Sequence, residues 1–592
     1  MKVRYRVIPI ALLCLALATG AGANPCSMLS QQLLMTGGED AAPTLNACFL
    51  PFLASGEARH RFSGMISIPG HAMTTIPAKL EPALLDGRRT QLFPAIDLAF
   101  VSHGEYLVPV DRGILASKDG ESFWEIQVSP GRVWSQQGDD GMSRASFPFI
   151  LTSIIENETY NGVATFLFDD DSVSQLRYQV VQQLAPFMLQ TRFTAAGQVP
   201  ITRGYAKIDG ARLIDEFEAE LAARLEWRDW SELEERYGAE LFADFDSGID
   251  PALTLTSGLV IDGIVYVRSM RTPYGDYPFP REMRHGVWSV TKTAAGLVTL
   301  LRMAQKYGDE VLDYRIRDYL DVTATHDGWD NVTFRHAMSM TTGVGTGTLN
   351  TNPNIIGSGD ASGSSDEEEF AAYMAWYLAP TLKEKLRHVF AVPDYPWRPG
   401  VHARYRDRDI FTLSAALASL YRSKEGPGAD IWKMMQYEVY RPIGIHHLPM
   451  NHTREPDGSG IPILAWGLYV TIDDIAKIAI LLQNGGVHDG VQILGKAGVA
   501  EAMYETDVRG LPTGESNRFG PKSYHLSLWQ EDYVTASGKR YPAPRMSGYG
   551  GNLVQLMPNG IVGFRFGNGG DVPLEQMTII ADAIRPFDGD VQ

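Results

Sequence analysis

The feature that most constrains this chain is a change of period between Leu253 and Tyr307. Leu253 to Met270 alternates about Asp262-Gly263, a dipeptide suited to a two-residue hairpin because both positions tolerate positive φ. Ser289-Val290-Thr291-Lys292 then opens a segment with apolar residues at Ala295, Val298, Leu301, Met303 and Ala304, closed by Gly308. That spacing is helical, with glycine as its C-terminal signal. A domain therefore begins near Pro251, and it opens with two antiparallel strands followed by a helix.

The chain ahead of it has a different texture. From about Phe62 to Phe193 short alternating or β-branched segments, such as Gln91 to Val101 and Gly162 to Phe168, are separated by Gly, Pro, Asp and Ser. They predict a β-rich domain, a sandwich, within residues 24–205. Asp169-Asp170-Asp171 is read as a solvated turn, since three consecutive carboxylates do not easily face one ion. Leu213, Phe217, Leu221, Leu225 and Tyr237 recur with helical spacing among Glu and Arg, which predicts an amphipathic helical connector over 206–250. The run from Asn354 to Glu368, rich in Gly, Ser, Asp and Glu, predicts a surface insertion.

Residues 1–23 have the order of a secretory leader: Lys2, Arg4 and Arg6, an apolar run from Val7 to Leu17, then small residues to Ala23. The run falls short of the ~20 residues that cross a bilayer, so an exported, periplasmic or extracellular protein without a membrane span is expected. The whole chain carries a formal charge of −18, and losing the leader makes it more acidic still. Such a surface argues against nucleic acid or anionic lipid as a partner. Only Cys26 and Cys48 follow the leader, either as one disulfide or as two buried thiols. Neither lies near the helix that opens at Ser289, so thiol chemistry is excluded there. The 592 residues and 44% hydrophobic content are enough for two or three domains with large cores.

Chemistry concentrates at Ser289 and Lys292. Residues three apart on a helix share a face, which puts the Lys292 amine beside the Ser289 hydroxyl. A serine becomes a nucleophile only with a neighbouring base, and a desolvated lysine can serve. The helix N-terminus adds free N–H groups and a positive dipole end where an oxyanion would form. Taken alone, Ser-x-x-Lys also fits a capping serine followed by a solvated lysine.

Other segments decide between these readings. Ser257 to Met270 with Arg284-His285-Gly286-Val287-Trp288-Ser289-Val290-Thr291-Lys292 resembles the strand pair and nucleophile helix of the β-lactamase-related serine hydrolases. That superfamily includes class C β-lactamases, penicillin-binding proteins, family VIII esterases and 6-aminohexanoate-dimer hydrolases. Val332 to Gly343 is similar to the family's next helix and its "SMTSG" turn, and Trp466 to Lys477 to its "G-x-x-x-T-x-x-D-x-A-K" helix start. The matches fall in order across 251–592. They imply an α/β (α+β) fold of the β-lactamase/transpeptidase type, an antiparallel sheet flanked by helices plus a helical subdomain.

The family's Tyr-x-Asn element follows a Pro-Gly pair, and here Pro399-Gly400 precedes Tyr405-Arg406-Asp407. The resemblance makes Tyr405 the proton-exchange partner of Ser289 and Lys292. Asp407 stands where the family has Asn. A carboxylate only accepts hydrogen bonds and holds Lys292 more firmly protonated, which points to Tyr405, as a phenolate stabilised by Lys292, for the base. The third element, Lys-Thr-Gly or His-x-Gly, corresponds to Met546-Ser547-Gly548, so the cation is missing. The run Gly548-Tyr549-Gly550-Gly551-Asn552 resembles the esterase and 6-aminohexanoate-dimer hydrolase branches, and analogy puts the N–H groups of Ser289 and Tyr549 in the oxyanion hole, flanked by Gly548 and Gly550.

The expected activity is cleavage of a small ester or amide, peptide-like substrates included, through an acyl-enzyme, with no cofactor and no metal. The alternatives are a β-lactamase or D-alanyl-D-alanine peptidase, and a binding or sensor protein that keeps only the fold. His285 and His402 flank the motifs, but no Gly-x-Ser-x-Gly elbow surrounds Ser289. His446, His447 and His452 lack zinc-ligand spacing and are read as surface histidines.

Overall fold

The computed structural model describes residues 26–37, 42–52, 55–79, 87–184, 186–188, 191–345, 367–569 and 575–589. The leader, and the surface insertion up to residue 366, lie outside the described residues.

The β-rich stretch forms one antiparallel sheet, eleven-stranded among the described residues. Its order is Thr202–Gly204, Ser63–Ile68, Ile96–His103, Tyr106–Pro109, Gly131–Trp134, β1 (Ser143–Ser153), β2 (Thr159–Phe168), Leu176–Gln183, Arg192–Val199 and Thr74–Lys79, with Trp124–Val128 also paired to β1. The sequence predicts a sandwich; the structure instead curls a continuous ladder over its own core. Phe62 meets Phe166 of β2 with ring centroids 5.5 Å apart, although four strands separate them in the sheet. Every residue of β1 and β2 is buried. One face lies in the sheet's own core; the other meets the second body's core at Val163 and the N-terminal segment at Leu167, which packs on Leu34.

The second body is built on a sheet of nine strands among the described residues. Its order is Glu226–Asp229, then β4 (Ile264–Val267), β3 (Thr254–Ile261), β7 (Val562–Gly567), β6 (Asn552–Leu556), β5 (Arg540–Gly548), Leu528–Val534, Gly520–His525 and Leu511–Asn517. The Asp262-Gly263 hairpin forms as the sequence predicts, with φ of +52° and +77° at its two turn residues. The helix α1 (Val298–Tyr307), α2 (Asp407–Glu425) and α3 (Ile472–Gln483) share one core with this sheet. Thr471 caps α3 in a capping box with Asp474, and Arg284 ties that box to the strand ahead of Ser289 through Asp474 at 3.3 Å.

Between the bodies the helical spacing does not run through. Gly210–Ala222 and Trp230–Tyr237 are helices, but Glu226–Asp229 is a strand pairing parallel to β4. Trp227 is drawn inward there and stacks with Arg281, its guanidinium 4.8 Å from the ring centroid, a contact that local periodicity does not report.

The bodies are joined closely. The turn between β1 and β2 inserts Glu156, Asn157 and Glu158, all fully buried, beside His285–Gly286. A Cβ on Gly286 would lie 1.5 Å from the Asn157 carbonyl oxygen, so only glycine permits this approach. Tyr277 donates to the Gly162 carbonyl at 2.9 Å, and Arg454 forks onto Glu125 at 2.6 and 2.7 Å. Cys26 and Cys48 form a disulfide.

Candidate active site

The short strand His285–Gly286 pairs with Tyr469–Val470 and delivers the chain to Ser289. Trp288 turns there with φ +50°, a left-handed conformation uncommon for a bulky residue and typical of constrained sites. Its N–H donates to Asn157 Oδ1 at 2.7 Å, and the Asn157 amide donates to the Leu468 carbonyl at 3.2 Å. Thus a side chain from the β-rich body braces the residue before the serine. Lys292–Leu297 is π-helical before α1 continues, where the sequence predicts an uninterrupted α-helix. Such wide turns recur at functional sites.

Lys292 is 1% exposed at its side chain, and its three N–H bonds have three acceptors. Ser289 Oγ lies at 2.6 Å, Asp407 Oδ1 at 2.6 Å and the Ala465 carbonyl at 2.8 Å. Burial is the largest single influence and disfavours the ammonium, but Asp407 and Tyr405 together outweigh it and raise the Lys292 pKa above its ordinary value. In the resting site Lys292 is a cation. It is a donor rather than a base.

Tyr405 stands beside both: Ser289 and Lys292 each act on its hydroxyl, and the Lys292 amine lies 5.1 Å from the ring centroid. Its pKa is nevertheless raised: burial dominates, Lys292 pulls it down, and Asp407 pushes it up again. The resting side chain is the neutral phenol, which corrects the expectation of a standing phenolate. Asp407 is the first residue of α2, where the free N–H groups of the helix end favour its negative charge. Its second oxygen accepts from the Tyr373 hydroxyl at 3.0 Å.

The end of β5 forms the opposite wall. A Cβ on Gly548 would sit 2.2 Å from the Val287 carbonyl oxygen and 3.2 Å from Ser289 N, so glycine alone lets the strand lie against the serine turn. Gly550 and Gly551 take φ of +81° and +82° in the turn to β6, and Asn552 closes it by donating to the Tyr549 carbonyl at 2.5 Å. The Tyr549 ring is 43% exposed, beside Trp288 at 5.8 Å. Met546 is fully buried in the core.

Sequence reasoning did not find Tyr373, Ala465 or Asn157, which reach the site from distant segments. It also missed the brace behind Tyr405. The Arg406 guanidinium lies 2.8 Å from Asp409 Oδ1, and Asp409 Oδ2 accepts from Thr342 Oγ1 at 2.9 Å, tying Tyr405 to the turn before Gly343. His285 is a core residue against Phe566, its pKa lowered to about 3 by burial, so it carries no charge and no proton relay. His402 packs edge-on to Trp397, centroids 4.8 Å apart. The reading of His446, His447 and His452 as surface residues is corrected: all three are only partly exposed, with pKa values lowered chiefly by burial, and His447 stands 4.0 Å from Glu220 between the bodies. Among the described residues no group of His, Cys, Asp and Glu is arranged to hold a metal ion, and no helix is long and apolar enough to cross a membrane. Asp169 caps its own turn, accepting from the backbone of Asp171 and Ser172 at 2.9 and 2.7 Å.

No family model and no curated protein matches the chain. Among solved structures it is similar to a penicillin-binding protein from Bacillus halodurans, with 16% identity and a TM-score of 0.40 over 58% of this chain and 98% of that one. It is similar also to a D-stereospecific amidohydrolase from Streptomyces, with 16% identity and a TM-score of 0.37 over 58% of this chain and 97% of that one. Both are likenesses of fold.

Proposed function

We propose that this chain, whose second body has the fold of the β-lactamase-related serine hydrolases, is an exported serine hydrolase that cleaves an ester or amide through an acyl-enzyme on Ser289. The observation that carries the reading is the Lys292 ammonium, buried and 2.6 Å from Ser289 Oγ, with the Tyr405 ring 5.1 Å from the same amine.

Once Tyr405 has given its resting proton to solvent, Ser289 Oγ attacks the carbonyl carbon while its own proton passes to the Tyr405 phenolate oxygen, and Lys292 stays protonated to stabilise negative charge along that path. The carbonyl oxygen becomes an oxyanion facing the N–H groups of Ser289 and Tyr549. The intermediate collapses as Tyr405 returns a proton to the departing alcohol or amine. Water then repeats the cycle on the acyl-enzyme and releases the acid. Asp407 holds Lys292 in place and in charge, a positioning role.

Met546 supports an ester or amide without a free carboxylate, because the position that in the resemblance supplies a cation carries a buried thioether. Export is supported by the leader-like N-terminus and by the Cys26–Cys48 disulfide, a bond that persists in oxidising compartments. The test is labelling of the purified protein by a fluorophosphonate probe and by a fluorescent penicillin. The expected result is labelling by the first alone, lost in Ser289→Ala. Labelling by both would move the assignment to penicillin-recognising enzymes, and labelling by neither would leave a binding protein.

A further inference from the structure

The N-terminal sheet reaches the site at a second point. Beyond the strand Leu176–Gln183 the chain passes beside Trp288, and two consecutive backbone N–H groups, those of Phe187 and Met188, donate to one carboxyl group. That group is Glu156, in the β1–β2 turn, whose Oε2 and Oε1 accept at 2.8 and 2.6 Å. A carboxylate taking two adjacent amides fixes position and direction together, as an anion nest does. Glu156 is fully buried beside Asn157, which braces Trp288, so loop and nucleophile turn share one anchor.

What the anchor holds out is a phenyl ring. Phe187 stands with its centroid 4.8 Å from Tyr549, 5.6 Å from Trp288 and 6.3 Å from Tyr377, each pair edge to face. Trp288 immediately precedes Ser289, and Tyr549 follows the glycine pressed against the serine turn. The ring therefore closes an aromatic wall whose other members come from the second body. Three edge-on contacts and the backbone hydrogen bonds of Phe187 and Met188 fix the ring at a partly exposed position.

We infer that Phe187 is a specificity-determining residue: the N-terminal sheet, through Glu156, sets it as the far wall of an aromatic pocket that admits short apolar acyl groups and excludes long ones. The inference rests on the serine hydrolase reading and adds the substrate class and the role of the first body. An apolar pocket bounded by a ring discriminates by chain length, because each methylene that cannot enter forfeits its burial.

The experiment compares p-nitrophenyl acetate, butyrate and octanoate as substrates of the full-length protein, reading the ratio of kcat/KM for octanoate over acetate. Phe187→Ala should raise that ratio at least tenfold and Phe187→Trp should lower it. Glu156→Gln, which leaves one carbonyl oxygen for two amides, should raise it by a smaller factor. Circular dichroism and Ser289 labelling identify the folded variants. A ratio that stays within twofold of wild type in all folded variants overturns the inference while leaving the hydrolase reading intact. Absence of both ester turnover and fluorophosphonate labelling in the wild type overturns the two together.

Discussion

Asp407 is the residue on which the electrostatics turn. Its carboxylate raises the pKa of Lys292 directly and raises that of Tyr405 as a like charge to the phenolate, so both candidate bases are held protonated. A rate that depends on the basic form then climbs with pH toward the alkaline side. Removing the charge in Asp407→Asn lowers both pKa values, and the rising limb of kcat/KM should move to lower pH by about one unit, the small end of what a charge at this distance does. A limb that stays in place, or moves to higher pH, refutes the role given to Asp407. This much was legible in the sequence: an aspartate where an amide is expected has a fixed chemical meaning. What the sequence could not weigh was burial. Tyr405 beside a lysine reads as a stabilised phenolate, yet desolvation exceeds the pull of that lysine.

At the scale of elements, the hairpin turn at Asp262-Gly263 and the helix after Ser289 were readable because their signals are local, turn chemistry and apolar period, whereas the start of α3 was readable only through the resemblance carried by Trp466 to Lys477. The β1–β2 turn was not readable. Ile155-Glu156-Asn157-Glu158 has the letters of any polar turn, and nothing nearby says that the second body buries it. Buried polar groups need partners, and these partners lie far away in the chain. Asn157 serves two of them, Trp288 N–H and the Leu468 carbonyl. Asn157→Ala should leave both unpaired at a cost of about 1–3 kcal/mol. It should also release the left-handed turn at Trp288, lowering kcat more than it raises KM. Denaturant unfolding and steady-state kinetics read the two effects. Asn157→Asp, which keeps the acceptor for Trp288 N–H, should recover more of kcat than of stability; equal recovery of the two would argue that Asn157 only fills space.

For the whole molecule the question is whether the two bodies unfold separately. Val163, Val181 and Leu184 of the N-terminal sheet belong to the same buried cluster as Val287, Val290 and α1, so the interface is continuous with the catalytic core. The disulfide loop adds a strap. Thr44 N–H donates to Gln179 of the sheet at 2.9 Å, while Asn46 donates from its backbone to the Tyr274 carbonyl at 2.9 Å and from its side chain to Thr272 at 2.8 Å. Cys26–Cys48 closes that loop across a separation of 22 residues, so its loss frees chain that touches both bodies. Loop-closure entropy for such a ring is worth about 3 kcal/mol. The double variant Cys26→Ser/Cys48→Ser should therefore unfold at lower denaturant concentration, with ΔG smaller by about 3 kcal/mol. It should still show one transition, reported alike by tryptophan fluorescence and by far-ultraviolet circular dichroism. Shared apolar burial couples the bodies more strongly than the strap does, and it remains in the variant. Two separated transitions would mean that the bodies are held together by the loop, and Phe187 would then sit on a wall that the catalytic body does not itself fix. A single transition of unchanged midpoint would mean that the strap constrains nothing the interface has not already ordered.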